Sequence, residues 1–478
     1  MSTPTLEASP APRLADGAPR RRWASLALLS VAQFMLILDI TVVNIALPSI
    51  GTELALDRAT LTWVVSAYTL VFGGLLLLGG RAADQFGARR VSMAGLALFT
   101  AASLAAGLAG DGTLLIAARL AQGAGAALLS PAALSIVTTT FQGAERAKAL
   151  AVWSSLGGAG AAVGVLLGGA FTAGPGWQWA FYVNVPVGLM ILAALPLVVR
   201  SRPAVHPRSR IDLVGAVLAT AAMGSVTYGL INAGDQGWLG RWTLLPVFAS
   251  VVLFVAFVRS QTMVRSPLLD IRVLANRSML TGGLLILGVT GLMIATFFLG
   301  SFHLQQRSGY GPMVTGLLFL PVALGTFFGA QATGQLLGRL GVRLATVLSL
   351  SVVAVGMGTA GLLTAPAAVV VGISVAATGM GPLFVIGAIV ALSDAPPERA
   401  GVASGLAATF HELGGALGVA TVSSVAAAGL AYGAAGGTDG YSRGFWFSAA
   451  FAVALAVVAA VAMPGPRPSA VAEPTGQA

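Results

Sequence analysis

Apolar runs long enough to cross a lipid bilayer recur from one end of this chain to the other. They constrain its fold more than any other feature. A crossing needs ~20 predominantly apolar residues in a helix, because hydrocarbon offers no water to satisfy a free backbone amide. Reading between charged or Gly/Pro-rich punctuation gives fourteen such runs: about 24–47, 61–80, 91–109, 113–138, 148–172, 179–199, 212–232, 242–258, 279–302, 313–333, 344–363, 366–393, 400–430 and 444–463. The run at 366–393, split by Gly379, Gly381 and Pro382, is long enough to be kinked. Of 478 residues 56% are hydrophobic and only 9% charged, where a soluble globule carries about a quarter charged residues. The expected fold class is an all-α membrane protein in contact with the lipid bilayer.

The net charge of +10 would suggest nucleic acid in a soluble chain, but here the basic residues flank the runs. If the N-terminus lies in the cytoplasm, the segments between runs divide unequally. The outer ones hold only Arg58, Arg241, Arg307 and Arg443, and Arg119 falls within a run. The other loop arginines and Lys148 fall inside, as the positive-inside rule requires. Missing one run would invert every later loop, so the asymmetry supports fourteen and places both termini in the cytoplasm. Arg20-Arg21-Arg22 before an apolar run could pass for a twin-arginine signal, yet the run from Trp23 to Leu47 is too long for a signal core. There is no Cys, hence no disulfide or thiol chemistry. Nothing has metal-ligand spacing, no nucleophile elbow or phosphate loop appears, and no sizeable soluble domain is present. An enzyme is not expected, nor any cofactor, metal site or catalytic residue. The excess of Arg over Lys and of Ala, Gly and Val resembles a high-GC bacterium, so a bacterial plasma membrane is expected.

The segment Gly80-Arg81-Ala82-Ala83-Asp84-Gln85-Phe86-Gly87-Ala88-Arg89 recurs, degenerately, as Gly334-Gln335-Leu336-Leu337-Gly338-Arg339-Leu340-Gly341-Val342-Arg343. An offset of eight runs makes sense if two six-helix bundles enclose an inserted pair. The division expected is a disordered tail over 1–22, a first bundle over 23–200, inserted helices 7 and 8 with their linkers over 201–278, a second bundle over 279–463 and a disordered tail over 464–478.

Asp39 lies inside the first run, where a bare carboxylate costs roughly 2.5–3.5 kcal/mol and is functional by default. Shielded from water, it can cycle between neutral and charged forms. Gln33, Thr41 and Asn44 share one helix face and Asp39 points roughly the other way; either face could line a cavity. In the fourth run Arg119, Gln122, Gly123 and Ser130 share a face. Arg119 matches Asp39 in depth, so the two could pair, the alternative being snorkelling of Arg119 to the interface. In the fifth run Gly160, Gly164 and Gly168 stack at a spacing of four, which permits close helix packing. Glu412 lies near the middle of the thirteenth run beside His411, whose side-chain type titrates near neutral pH. It reads as a second proton site, a contact for cationic substrate or a structural pair. His303, Gln305 and Gln306 read as rim residues and His206 as a solvated loop residue.

Together these motifs resemble the major facilitator superfamily, specifically its fourteen-span drug:proton antiporters of the EmrB and QacA type, over about residues 24–463. The resemblance implies the major facilitator fold, two six-helix bundles plus two inserted helices, working by alternating access. It implies proton coupling through Asp39 and Arg119, to which Glu412 is added, with protons as the only coupling ion. Gly80, Asp84, Gly87, Arg89 and Arg90 would form a gating loop that latches the bundles in the outward-open state. Gln33, Thr41, Asn44, Gln122, Ser130 and His411 are expected as polar cavity lining, and Gly160, Gly164 and Gly168 as helix packing. The stretch from Trp177 to Gly188 matches the tryptophan-rich signature of the group, although its first aromatics also suit an interfacial belt. Two departures stand out: Val165 where relatives carry Pro, and His411-Glu412 where they commonly carry Arg-Gln. The implied activity is export of amphipathic small molecules. Alternatives are an exporter dedicated to one metabolite and a proton-coupled importer. No nucleic-acid partner is expected, and a monomer would suffice.

Overall fold

The computed structural model describes residues 19–200, 212–264, 267–274, 276–363, 365–394, 400–430 and 439–463. All regular structure among them is helical. In chain order the long helices are α1 (Pro19–Glu53), α2 (Arg58–Phe86), α3 (Ala88–Gly107), α4 (Gly112–Thr140), α5 (Gly143–Ala173) and α6, which joins Trp179–Tyr182 to Asn184–Val198. The inserted pair is α7 (Leu213–Gln236) and α8 (Arg241–Met263), and α9 (Arg277–Phe302) runs on into a π-helical turn at His303–Arg307. Pro312–Leu318 continues through Leu320–Leu362, which breaks at Gly341 into α10 (312–340) and α11 (342–362). The remainder are α12 (Pro366–Leu392), α13 (Ala400–Val425) and α14 (Asp439–Ala462).

Short polar side chains start several of these helices where the sequence changes from polar to apolar. Asp57 accepts from Thr60 N, Asp111 from Leu114 N and Asp212 from Gly215 N, each at 2.8 Å, satisfying amides that a helix leaves unpaired. Twelve helices among the described residues combine the length and apolarity of a membrane crossing. One of these covers 51 residues, Pro312–Leu362. Straight, it would measure ~76 Å at ~1.5 Å per residue, more than twice a ~30 Å hydrocarbon core. It turns at Gly341, where φ is 71°, a left-handed value that only glycine adopts freely. Gly87, its counterpart in the internal repeat, turns between α2 and α3 with φ 91°. The candidates number twelve to fourteen, according to whether the 26-residue α13 is added and Pro312–Leu362 is divided at Gly341.

The supposed tail begins folding earlier than expected. Residues 19–22 are the first turn of α1, held because Arg21 donates to the carbonyls of Leu197 and Val198 and Arg22 pairs with Glu145 at 3.0 Å. His206, the rest of residues 1–22 and the tail over 464–478 lie outside the described residues.

At the arginine-poor end the helices close on one another. A Cβ on Gly316 would stand 2.4 Å from the Val165 carbonyl oxygen, and one on Gly169 2.9 Å from that of Pro312, so α5 and the start of α10 are in backbone contact. Gln305 Nε2 donates to the Ile45 carbonyl of α1 at 2.9 Å. His303 is buried against Tyr441 and Phe445. His303 is therefore core rather than a surface or rim residue, while Gln305 is half-buried and Gln306 exposed.

Candidate functional site

Four helices bring their polar side chains to one dry point. Glycines on α4 make this possible. A Cβ on Gly123 would lie 2.5 Å from the Tyr68 carbonyl of α2, and one on Gly125 2.7 Å from Phe99 N of α3. With α4 drawn in this far, Arg119 reaches back to the Val64 carbonyl with Nε at 3.0 Å. Its Nη1 donates to Asp39 Oδ2 of α1 and to Gln122 Oε1 at 3.0 Å. Gln122 and Arg119, three residues apart, share one face of α4.

Asp39 accepts twice more, both times at Oδ1: from Gln122 Nε2 at 3.1 Å and from Asn184 Nδ2 of α6 at 3.2 Å. Gln122 Nε2 also donates to Ser103 Oγ of α3 at 2.8 Å. Asp39, Gln122 and Ser103 are 0% exposed and Arg119 and Asn184 1%. The Arg119 guanidinium lies 4.4 Å from the centre of the Tyr68 ring and 5.8 Å from that of Phe181. The Tyr68 hydroxyl has no hydrogen-bond partner among the described residues. Three donors, from Arg119, Gln122 and Asn184, converge on the one carboxylate. Breaking such a buried pair by removing one member costs about 3–5 kcal/mol.

Asn184, Ser103 and Tyr68 escaped the sequence reading. Asn184 carried the clearest signal, a lone amide in an apolar helix within the tryptophan-rich stretch. Of that stretch, Trp177 is buried and Trp179 half exposed, so its first aromatic is core rather than interfacial belt.

The other expected site residues disperse. Thr41 and Asn44 are buried. Cβ atoms on Gly160, Gly164 and Gly168 would lie 2.7 Å, 2.7 Å and 3.0 Å from Ile37, Thr41 and the Val42 carbonyl, so α5 lies flush on this face of α1. Their polar groups turn to their own helix, Thr41 Oγ1 to the Ile37 carbonyl and Asn44 Nδ2 to that of Ile40. Gln122 belongs to the carboxylate cluster. Gln33 and Ser130 are half-buried. Glu412 is buried on α13 against Gly73 of α2, away from the Asp39 hydrogen bonds, and meets His411 Nδ1 at 3.2 Å. The His411 side chain is 44% exposed and lies beside Phe384. In the α2–α3 turn Gly80, Asp84, Gly87 and Arg89 are half-buried or buried and Arg90 is exposed, while the neighbouring Arg81 donates to the Pro267 carbonyl at 3.0 Å. Among the described residues no group of His, Asp and Glu could hold a metal ion.

A bundle of apolar crossings around a dry cluster of polar side chains fits a membrane carrier. The chain belongs to the Major Facilitator Superfamily, whose family model matches residues 29–419. It is 37% identical over 425 residues to the puromycin resistance protein pur8 of Streptomyces alboniger, covering 86% of this chain and 83% of that protein. It is 34% identical, with 86% of each chain covered, to the lincomycin resistance protein of Streptomyces lincolnensis. The nucleoside transporter NupG shares the fold at TM-score 0.65 and 14% identity, over 93% of this chain and all of that one. The protein is a multi-pass membrane transporter and not an enzyme, and its relatives are antibiotic resistance and export proteins.

Proposed function

We propose that this chain exports amphipathic drugs or antibiotics across a bacterial plasma membrane in exchange for protons. Its helices act as two six-helix bundles around an inserted pair, fourteen crossings in all, with both termini and the arginine-rich end in the cytoplasm. The turns at Gly87 and Gly341 support that count, since each joins two crossings in equivalent places. The contacts that close the arginine-poor end support a cytoplasm-facing state.

The observation that carries the reading is Asp39, wholly buried and held by Arg119, Gln122 and Asn184. A proton entering from outside neutralises Asp39, frees Arg119 and loosens α1, α4 and α6 from one another. Its release inside restores the cluster. Glu412, at the contact of α2 with α13, is the second site at which a proton or a cationic substrate acts. Asp39→Asn should insert normally but lose efflux driven by a pH gradient in proteoliposomes, and efflux at the parent rate would overturn the mechanism. A second reading, an exporter dedicated to one antibiotic, is favoured by relatives named for single compounds. Accumulation of a panel of compounds with and without the protein separates the two.

A further inference from the structure

We propose that Arg58 and Asp235 form a latch at the arginine-poor end, making the inserted helix α7 a working part of the gate rather than a brace. The proposal rests on the alternating-access reading above. Arg58 is the first residue of α2, where the helix dipole disfavours a cation, so α2 itself does not account for it. Yet the residue is only 8% exposed, and its partners lie on two other helices.

Its Nη1 donates to Ser423 Oγ of α13 at 3.0 Å, and its Nη2 to the Ile231 carbonyl and to Asp235 Oδ2 of α7, both at 2.8 Å. Thr62, a turn further along α2, donates to the same Ser423 hydroxyl at 2.9 Å. Ser424 of α13 donates in turn to the Leu230 carbonyl of α7, with that of Ile231 further off at 3.2 Å. Gly234 leaves the room: a Cβ there would stand 2.7 Å from the guanidinium. The inserted helix therefore grips α2 with one set of bonds and α13 with another. Separating α2 from α13 must break one set. The Asp235 side chain is 50% exposed, so the latch is wet on one side and can open without stranding a carboxylate in a dry space.

The absence of native cysteine makes the test clean. Ser66 lies on α2 about 12 Å deeper than Arg58, at ~1.5 Å per residue, and is buried against the Ala416 carbonyl of α13. Ser66→Cys is placed in the parent chain, in Asp235→Asn, in Arg58→Lys and in the exchange Arg58→Asp with Asp235→Arg. Labelling by a membrane-impermeant thiol reagent from outside is then timed. Losing one charge-assisted bond should raise the rate about five- to tenfold in the first two variants, and the exchange should lower it again. Both single variants are close in shape to the parent, which protects the fold. A cysteine that reacts equally fast in parent, Asp235→Asn and Arg58→Lys overturns the latch and leaves the Asp39 mechanism standing. A cysteine that never reacts, even with substrate and a proton gradient, overturns the latch together with alternating access.

Discussion

At the residue scale, Arg119 does more than neutralise Asp39. Its guanidinium holds the Val64 carbonyl, Asp39 and Gln122 together, between two aromatic rings. A lysine offers a point charge on a flexible stem and cannot make this fork. Arg119→Lys should therefore cut gradient-driven efflux by about tenfold or more although the charge is kept, a loss readable in proteoliposomes. Asn184 makes one hydrogen bond to Asp39, so Asn184→Val should cost roughly 1.5–3 kcal/mol of whatever the cluster stabilises. The expected signature is a shifted pH profile of transport in a protein that remains folded. A profile identical to the parent's would remove Asn184 from the site.

At the element scale, glycines decide how near the helices come. A Cβ on Gly79 of α2 would stand 1.9 Å from the Ala127 carbonyl of α4, a backbone atom that cannot rotate away. Gly79→Ala should destabilise by about 1–3 kcal/mol and lower the melting temperature in detergent. Gly157 of α5 faces open space, so Gly157→Ala should be neutral or stabilising by up to ~1 kcal/mol through helix propensity. Equal melting of the two variants would contradict this packing. The glycine spacing on α5 was legible as a packing stripe. Which polar residue it would bury was not, because Thr41 gains its surroundings from a helix more than a hundred residues away in the chain.

At the scale of the whole molecule, topology depends on the break at Gly341. If α10 and α11 are separate crossings, the Leu363 turn lies outside; if 312–362 were one crossing, it would lie inside. Leu363→Cys, at a position 48% exposed, should react with an impermeant thiol reagent from the external side, and Arg90→Cys only after permeabilisation. Protection of Leu363→Cys in intact cells would refute the fourteen-crossing arrangement.

The linear chain carried the class of fold, because hydrocarbon thickness fixes how many apolar residues a crossing needs and loop arginines record which side they face. It also exposed Asp39 and Arg119, since a charge in an apolar run is costly wherever it ends up. Arg58 shows the limit. From the chain it is one more loop arginine; in the folded molecule it is buried between α2, α7 and α13. Tertiary packing alone assigns partners to a side chain, since solvation and hydrogen bonding depend on neighbours that sequence order does not specify. The Asp39 cluster is the same case: its acid was visible, but the amide of Asn184 and the ring of Tyr68 reach it only through the approach of α2 and α6.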